Sequence, residues 1–230
     1  MSTLPLQPFT RYDGAAETDD SVRMPSDELG ANVLNVCMSE LLLRLEQFTN
    51  GEEGPHMYPW ATRFAMGYPL PYWQRELKWD LEQKVRFIES IWAGVDVGTH
   101  LVNDVYEFEG TGASLRYRKF SQVLLDGQQR LTALEDYLYN RFQVRDSAGV
   151  LRYWRDLPKV ERRRFGNFHF AKATISSFDE GLLVRAYNLR ALGGTPHEEN
   201  ERARVGFNPF ENADSAEIAA QVAASMPVIR

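Results

Sequence analysis

Asp126-Gly127-Gln128-Gln129-Arg130 places a carboxylate, a backbone hinge, two amides and a guanidinium in five consecutive positions. The apolar segment Gln122-Val123-Leu124-Leu125 precedes it, and Leu131, Leu134 and Leu138 follow at helical spacing. Strand, glycine turn and helix in that order present free backbone N–H groups at a helix N-terminus. Together with the positive end of the helix dipole, such groups bind phosphate. Gly127 lets a backbone approach a ligand closely, and Arg130 adds a forked donor suited to phosphate oxygens. Asp126 can hold a metal ion or handle a proton. The competing reading is an ordinary Asp-Gly turn whose arginine forms a surface ion pair.

The elements that must carry these residues alternate between helix and strand. A helix is expected over 29–48, with Leu34, Cys37, Leu41, Leu45 and Phe48 on one face, stopped by Asn50-Gly51. Pro69 and Pro71 keep 66–75 extended. Asp80-Leu81-Glu82-Gln83 has the form of a capping box, opening a helix that buries Leu81, Val85, Ile88 and Ile91 or Trp92 and ends at Gly94. Two strands, 101–108 and 115–120, join across Gly110-Thr111-Gly112. After the 122–125 strand and a 129–142 helix come an arginine-rich section at 141–166, a strand over 168–175, a helix over 179–192 and a terminal helix over 213–226. The fold class is therefore α/β, of the α+β kind, with a small mixed sheet packed on helices. The chain divides into an acidic, partly disordered arm (1–28), an N-terminal helix and loop (29–60), a catalytic domain (61–200) and a helical tail (201–230).

Further motifs surround the central one. Tyr68-Pro69-Leu70-Pro71-Tyr72-Trp73-Gln74-Arg75 is followed by Trp79, then by Phe87-Ile88-Glu89-Ser90-Ile91-Trp92-Ala93-Gly94, and later by Leu125 to Thr132. This ordered set resembles the N-terminal domain family of GmrSD-type restriction enzymes, which is itself similar to the ParB/sulfiredoxin superfamily. The resemblance covers about residues 66–197. Trp73 departs from the usual Tyr-Gln-Arg step. Asn188 lies further ahead of Gly193-Gly194-Thr195-Pro196 than the family pattern places its asparagine, with Ala191 nearer the expected position. The resemblance implies a ParB/sulfiredoxin-like fold and a nucleotide, ATP or GTP, whose phosphates sit on Gly127, Gln128, Gln129 and Arg130. It places Gln74 and Arg75 beside that cradle, and it makes Asp126 the Mg²⁺ ligand or proton-handling residue. Asp126, Arg130, Glu89 and Arg75 are the catalytic candidates. Glu89 is a possible general base that can equally cap an arginine, and Arg75 can instead stack on Trp73 or Trp79.

Charge is distributed unevenly. Residues 1–60 carry ten acids against three arginines, while the net charge of the whole chain is −6. Arg141, Arg145, Arg152, Arg155, Lys159, Arg162, Arg163 and Arg164 form a basic stretch interleaved with Tyr139, Tyr153, Trp154 and Phe165. That combination suits a surface tracking a nucleic-acid backbone, with Arg152, Arg155, Arg162, Arg163 and Arg164 as the DNA-binding candidates. Alternatively these arginines pair with the acidic arm, either permanently or until nucleic acid displaces it. Cys37, the only cysteine, excludes a disulfide framework and reads as a buried structural thiol in a reducing cytoplasm, a host's if the gene is a phage's. His56, His100, His169 and His197 lack metal-ligand spacing, although His197 follows the Gly-Gly-Thr-Pro turn. No P-loop and no run of roughly 18 apolar residues occurs, which argues against P-loop kinases and a membrane partner.

These readings lead to Mg²⁺-dependent nucleotide hydrolysis or phosphoryl transfer acting on DNA. One form is a phage-type kinase of hydroxymethylated pyrimidine, working with a base-modification pathway. The alternatives are the nucleotide-sensing subunit of a restriction or defence system with a separate nuclease partner, and a nucleotide-gated DNA-binding module without turnover.

Overall fold

The computed structural model describes residues 21–192. In chain order its elements are β1 (Asn32–Leu34), α1 (Met38–Thr49), β2 (Phe64–Ala65), β3 (Tyr68–Pro69), α2 (Leu81–Trp92), β4 (His100–Asn103), β5 (Phe108–Glu109), β6 (Arg116–Tyr117), β7 (Leu124–Asp126), α3 (Gln128–Leu138), β8 (Val144–Arg145), β9 (Leu151–Arg152), α4 (Lys159–Gly166), β10 (Lys172–Ile175) and α5 (Glu180–Leu192). The expected mixed α+β class is what these elements build.

A four-stranded sheet in the order β1-β10-β4-β7 forms the centre. β10 runs parallel to β4, pairing Lys172 with His100 and Ile175 with Asn103, whereas β1 and β7 run antiparallel to their neighbours. All four residues of β4 are buried, as a strand covered on both faces requires. Successive side chains along a strand point to opposite faces, and the core divides accordingly. Val102 and Leu124 pack with α1, α2 and α3 through Leu41, Ile88, Leu131 and Leu134. Leu101, Leu125, Ala173 and Ile175 pack with Leu183, Val184 and Tyr187 of α5 and with Trp73. Asn103 ends β4 by donating to the carbonyls of Phe120 and Ser177, each at 2.8 Å, and accepting from Ser177 N at 2.9 Å.

The α2 capping box is present as expected: Asp80 Oδ1 accepts from Gln83 N at 2.8 Å and Gln83 Oε1 accepts from Asp80 N at 2.9 Å. Leu81, however, is exposed, and Phe87, Ile88 and Ile91 are the buried residues of that helix. The helix expected over 29–48 is a strand followed by a shorter helix. Residues 32–34 join the sheet edge against β10, so Val33 and Leu34 stay exposed. Cys37 is the N-cap of α1, only half-buried, with Sγ 3.8 Å from His169 Nε2. The 101–108 strand stops at Asn103 and the 115–120 strand keeps only Arg116–Tyr117; the expected hairpin across Gly110 forms from β5 and β6. The 129–142 helix ends at Leu138, after which Asn140 takes a φ of 61°. The 141–166 section folds as the β8–β9 hairpin and α4. The arm up to residue 20, the Gly193-to-Pro196 turn, His197 and the 213–226 helix lie outside the described residues.

Candidate functional site

β7 delivers Asp126 to the sheet edge, Gly127 turns the chain with φ +99°, and α3 begins at Gln128. A Cβ on Gly127 would stand 2.7 Å from His100 Cβ and 3.2 Å from its Cα. Glycine is thus demanded here by packing on β4 as well as by the positive φ. No side chain caps α3, so its first backbone N–H groups are met by none of the capping residues common elsewhere.

Asp126 is the acceptor for two arginines. Its Oδ2 takes Arg130 Nη2 at 3.2 Å and Arg190 Nε, from the last turn of α5, at 3.0 Å. Both guanidinium groups also donate to the Thr99 carbonyl at 2.8 Å, and Arg190 adds a bond to Thr99 Oγ1. Arg130 Nη1 donates to Val97 O at 2.9 Å. One carboxylate facing two guanidinium groups leaves a surplus positive charge. Burial lowers the pKa of Arg130, with Asp126 opposing the shift and Arg190 adding to it. Beneath the turn, His100 is fully buried with neither ring nitrogen partnered among the described residues, its ring edge-on to Phe170 at 4.8 Å. Burial first, then Arg130 and Lys172, push its pKa down to about 3, so the imidazole is neutral.

The two glutamines of the motif hold protein rather than open space. Gln128 Nε2 donates to Arg75 O at 2.8 Å. Gln129 Oε1 accepts from Lys78 N at 3.1 Å and Trp79 N at 3.2 Å, and its Nε2 donates to Glu76 O at 3.2 Å. The extended segment 74–79 is thereby clamped to the start of α3. Arg63 holds the same segment by donating to the carbonyls of Gln74 and Arg75. Gln74 is buried, with Oε1 unpartnered, and Trp73 packs on Tyr187 at 5.1 Å. Arg75, placed by the family resemblance beside the motif, is joined to it by the Gln128 bond, and Gln74 precedes it in the same segment. Arg75 meets the motif through its backbone, the Nε2 amides of both glutamines are engaged with the 75–76 carbonyls, and Gln128 Oε1 is buried with no partner among the described residues.

A cleft of about 410 Å³ adjoins the turn, lined by Trp79, by Gln83, Arg86, Phe87 and Ser90 of α2, by residues 95–97 and by Arg130. The four α2 residues recur at helical spacing; Glu89 is not among the lining and sits on another face of the helix. Two further acids, unanticipated from sequence, are structural. Glu135 Oε2 accepts from Met66 N at 2.6 Å, and burial raises its pKa to about 7. Asp136, buried on α3, pairs with Lys84 at 2.7 Å and with Arg141.

The basic stretch is largely satisfied within itself. Arg152 pairs with Asp146 at 2.9 Å and Arg164 with Glu161 at 2.8 Å. Arg162 donates to the carbonyls of Leu157 and Arg155. Arg155 lies 4.8 Å over Tyr153, Arg162 5.6 Å over Trp154 and Arg164 5.3 Å over Trp92. Arg163 is exposed and has no partner among the described residues. Glu28, the last acid of the expected arm, pairs with Arg185 of α5 and not with this stretch.

Among the described residues no group of three or more His, Cys, Asp or Glu side chains is placed to hold a metal ion. Asp126 is already shared by two guanidinium groups, a setting that does not fit a resident Mg²⁺.

The described residues form an α+β domain whose strand–glycine–helix turn carries an Asp–Arg pair beside a cleft lined by Trp79 and Arg130. The chain belongs to the GmrSD restriction endonuclease N-terminal domain family, whose model matches residues 61–214. No curated protein and no solved structure matches the chain. No helix among the described residues is long and apolar enough to cross a membrane.

Proposed function

We propose that this domain binds a nucleoside triphosphate in the cleft between α2 and α3 and acts as the nucleotide-responsive part of a DNA restriction or defence system. The observation that carries this reading is the position of Arg130, which belongs at once to the motif turn and to the cleft wall. A phosphate held at the turn lays the rest of its nucleotide toward the half-buried Trp79, whose ring offers a stacking partner, while Arg86 supplies a second positive charge. The ParB/sulfiredoxin-like likeness supports the same choice of ligand. Family membership favours the restriction role over the base-kinase role. Mg²⁺ enters this reading only as a companion of the phosphates, since such ions are commonly bound by one or two carboxylates together with substrate oxygens. The surface around Arg163 is the DNA-facing candidate.

The test is incubation of the protein with γ-labelled ATP or GTP, Mg²⁺, and DNA with or without hydroxymethylated pyrimidine. Free phosphate is the expected product, and Arg86→Ala, at an exposed residue whose ion pair is with Glu82, should weaken nucleotide binding without unfolding the domain. Label on the DNA would replace the restriction reading with the kinase. No binding of either nucleotide would end both.

A further inference from the structure

Arg130 is poorly placed to turn a fork toward a phosphate. Its Nη1 is held by Val97 O at 2.9 Å, and its Nη2 by Thr99 O at 2.8 Å and Asp126 Oδ2 at 3.2 Å. A Cβ on the intervening Gly98 would come within 3.0 Å of Nη1, so the guanidinium lies tight against this loop. Withdrawing it would leave the Val97 carbonyl without its donor. Arg190 is held differently. It uses Nε on Asp126 and Nη2 on Thr99, and its Nη1 has no partner among the described residues. Its side chain is 33 % exposed, against 20 % for Arg130. It thus keeps an oriented, accessible donor edge while two protein groups fix the plane of its guanidinium, the arrangement that makes arginine effective on phosphate.

Three features accompany the Asp126 turn that Arg190 joins. The two arginines share one carboxylate and leave a surplus positive charge. The N-terminal end of α3, where the helix dipole is positive, begins two residues after Asp126. His100, fully buried with both ring nitrogens unpartnered among the described residues, packs directly under Gly127.

We infer that Arg190 is the arginine that grips the phosphate, and that Arg130 is a positioning residue that holds Thr99 and Asp126 in place to orient it. The inference rests on the reading of this site as one that takes a nucleoside triphosphate. Arg190 lies 64 residues from Asp126 in sequence and joins the site only through the packing of α5 on β7.

The experiment is titration of the whole chain, wild type, Arg190→Ala and Arg190→Lys, with ATP, GTP and inorganic tripolyphosphate by calorimetry. A lost charge-assisted contact should weaken binding of all three ligands by about tenfold to a hundredfold in Arg190→Ala. Arg190→Lys should recover part of the loss, because it keeps the charge without the planar fork. Equal loss for tripolyphosphate and nucleotides identifies a phosphate contact; a structural role at α5 would lower the melting temperature of Arg190→Ala and not be eased by lysine. Wild-type affinity in Arg190→Ala overturns the assignment and leaves the nucleotide reading standing. Failure of the wild-type chain to bind any of the three removes that reading, and this inference with it.

Discussion

Replacing Gly127 with alanine should destabilise the domain even with no ligand in solution. Two costs add at this position. A φ of +99° is a conformation that an L side chain adopts only at about 1–2 kcal/mol. The new Cβ would also stand 2.7 Å from His100 Cβ, closer than real Cβ contacts come, and forced shifts of this kind typically cost about 1–3 kcal/mol. The total of about 2–5 kcal/mol is a large share of the 5–15 kcal/mol that holds a typical domain together. For a domain of this size it corresponds to a fall in Tm of roughly 4–20 °C. Thermal unfolding followed by far-ultraviolet circular dichroism measures it directly. Because the obstacle is the Cβ of His100 and not its ring, adding His100→Ala should bring no rescue, whereas His100→Gly should recover part of the loss. A Gly127→Ala protein melting within about 2 °C of wild type would show that the turn is not set by packing on β4.

Other perturbations reach the clamp and the buried titrating groups. Gln129→Leu leaves Lys78 N–H, Trp79 N–H and the Glu76 carbonyl without their partner, at a cost of about 1–3 kcal/mol. The amides of residues 78 and 79 should then exchange with deuterium faster than the rest of the chain, and unchanged protection would refute the clamp. His100, held near pKa 3 against an ordinary 6.5, contributes stability that is complete above about pH 6.5 and is lost as pH falls toward 3. Glu135 acts in the opposite sense: raised to about 7 from 4.5, its contribution is complete below about pH 4.5 and is lost as pH rises through 7. Between pH 4.5 and 6.5 the two trends oppose each other, so urea unfolding should show stability nearly level with pH in the wild type and rising with pH in Glu135→Gln; a profile equal to that of wild type would rule Glu135 out.

What the sequence made legible is what short-range signals encode. Asp80 and Gln83 announce their helix because both halves of a capping box lie within four residues. The turn at Gly127 is equally local, with a strand before it and leucines at helical spacing after it. The first helix starts later than its apolar spacing predicts, at Met38, for the converse reason. Leu34 and Cys37 fit a helical stripe, but residues 32–34 are claimed by β10, some 140 positions on, and nothing in their vicinity records that pairing. The candidate site divides along the same line. Asp126 and Arg130 stand at i and i+4 on one turn and could be paired from sequence, whereas Arg190 could not, since it reaches Asp126 from α5. The glutamines looked like ligand-binding amides because their own types were visible and their partners, the backbone of residues 75–79, were some fifty residues away. In 141–166 the opposing acids Asp146 and Glu161 are visible in the sequence, and their pairs with Arg152 and Arg164 are local, six and three residues apart.

The strand order β1-β10-β4-β7 also determines when the site comes into being during synthesis. β4 and β7 leave the ribosome early enough to pair, but one edge of β4 stays open until β10 has emerged at residue 175, and the sheet face lined by Leu101 and Leu125 waits for α5. Pairings across such separations are slow to form. Asp126 and Arg130 therefore exist as a strand–helix turn for much of translation before Arg190 arrives to complete them. A nascent chain carries the motif well before it has the site.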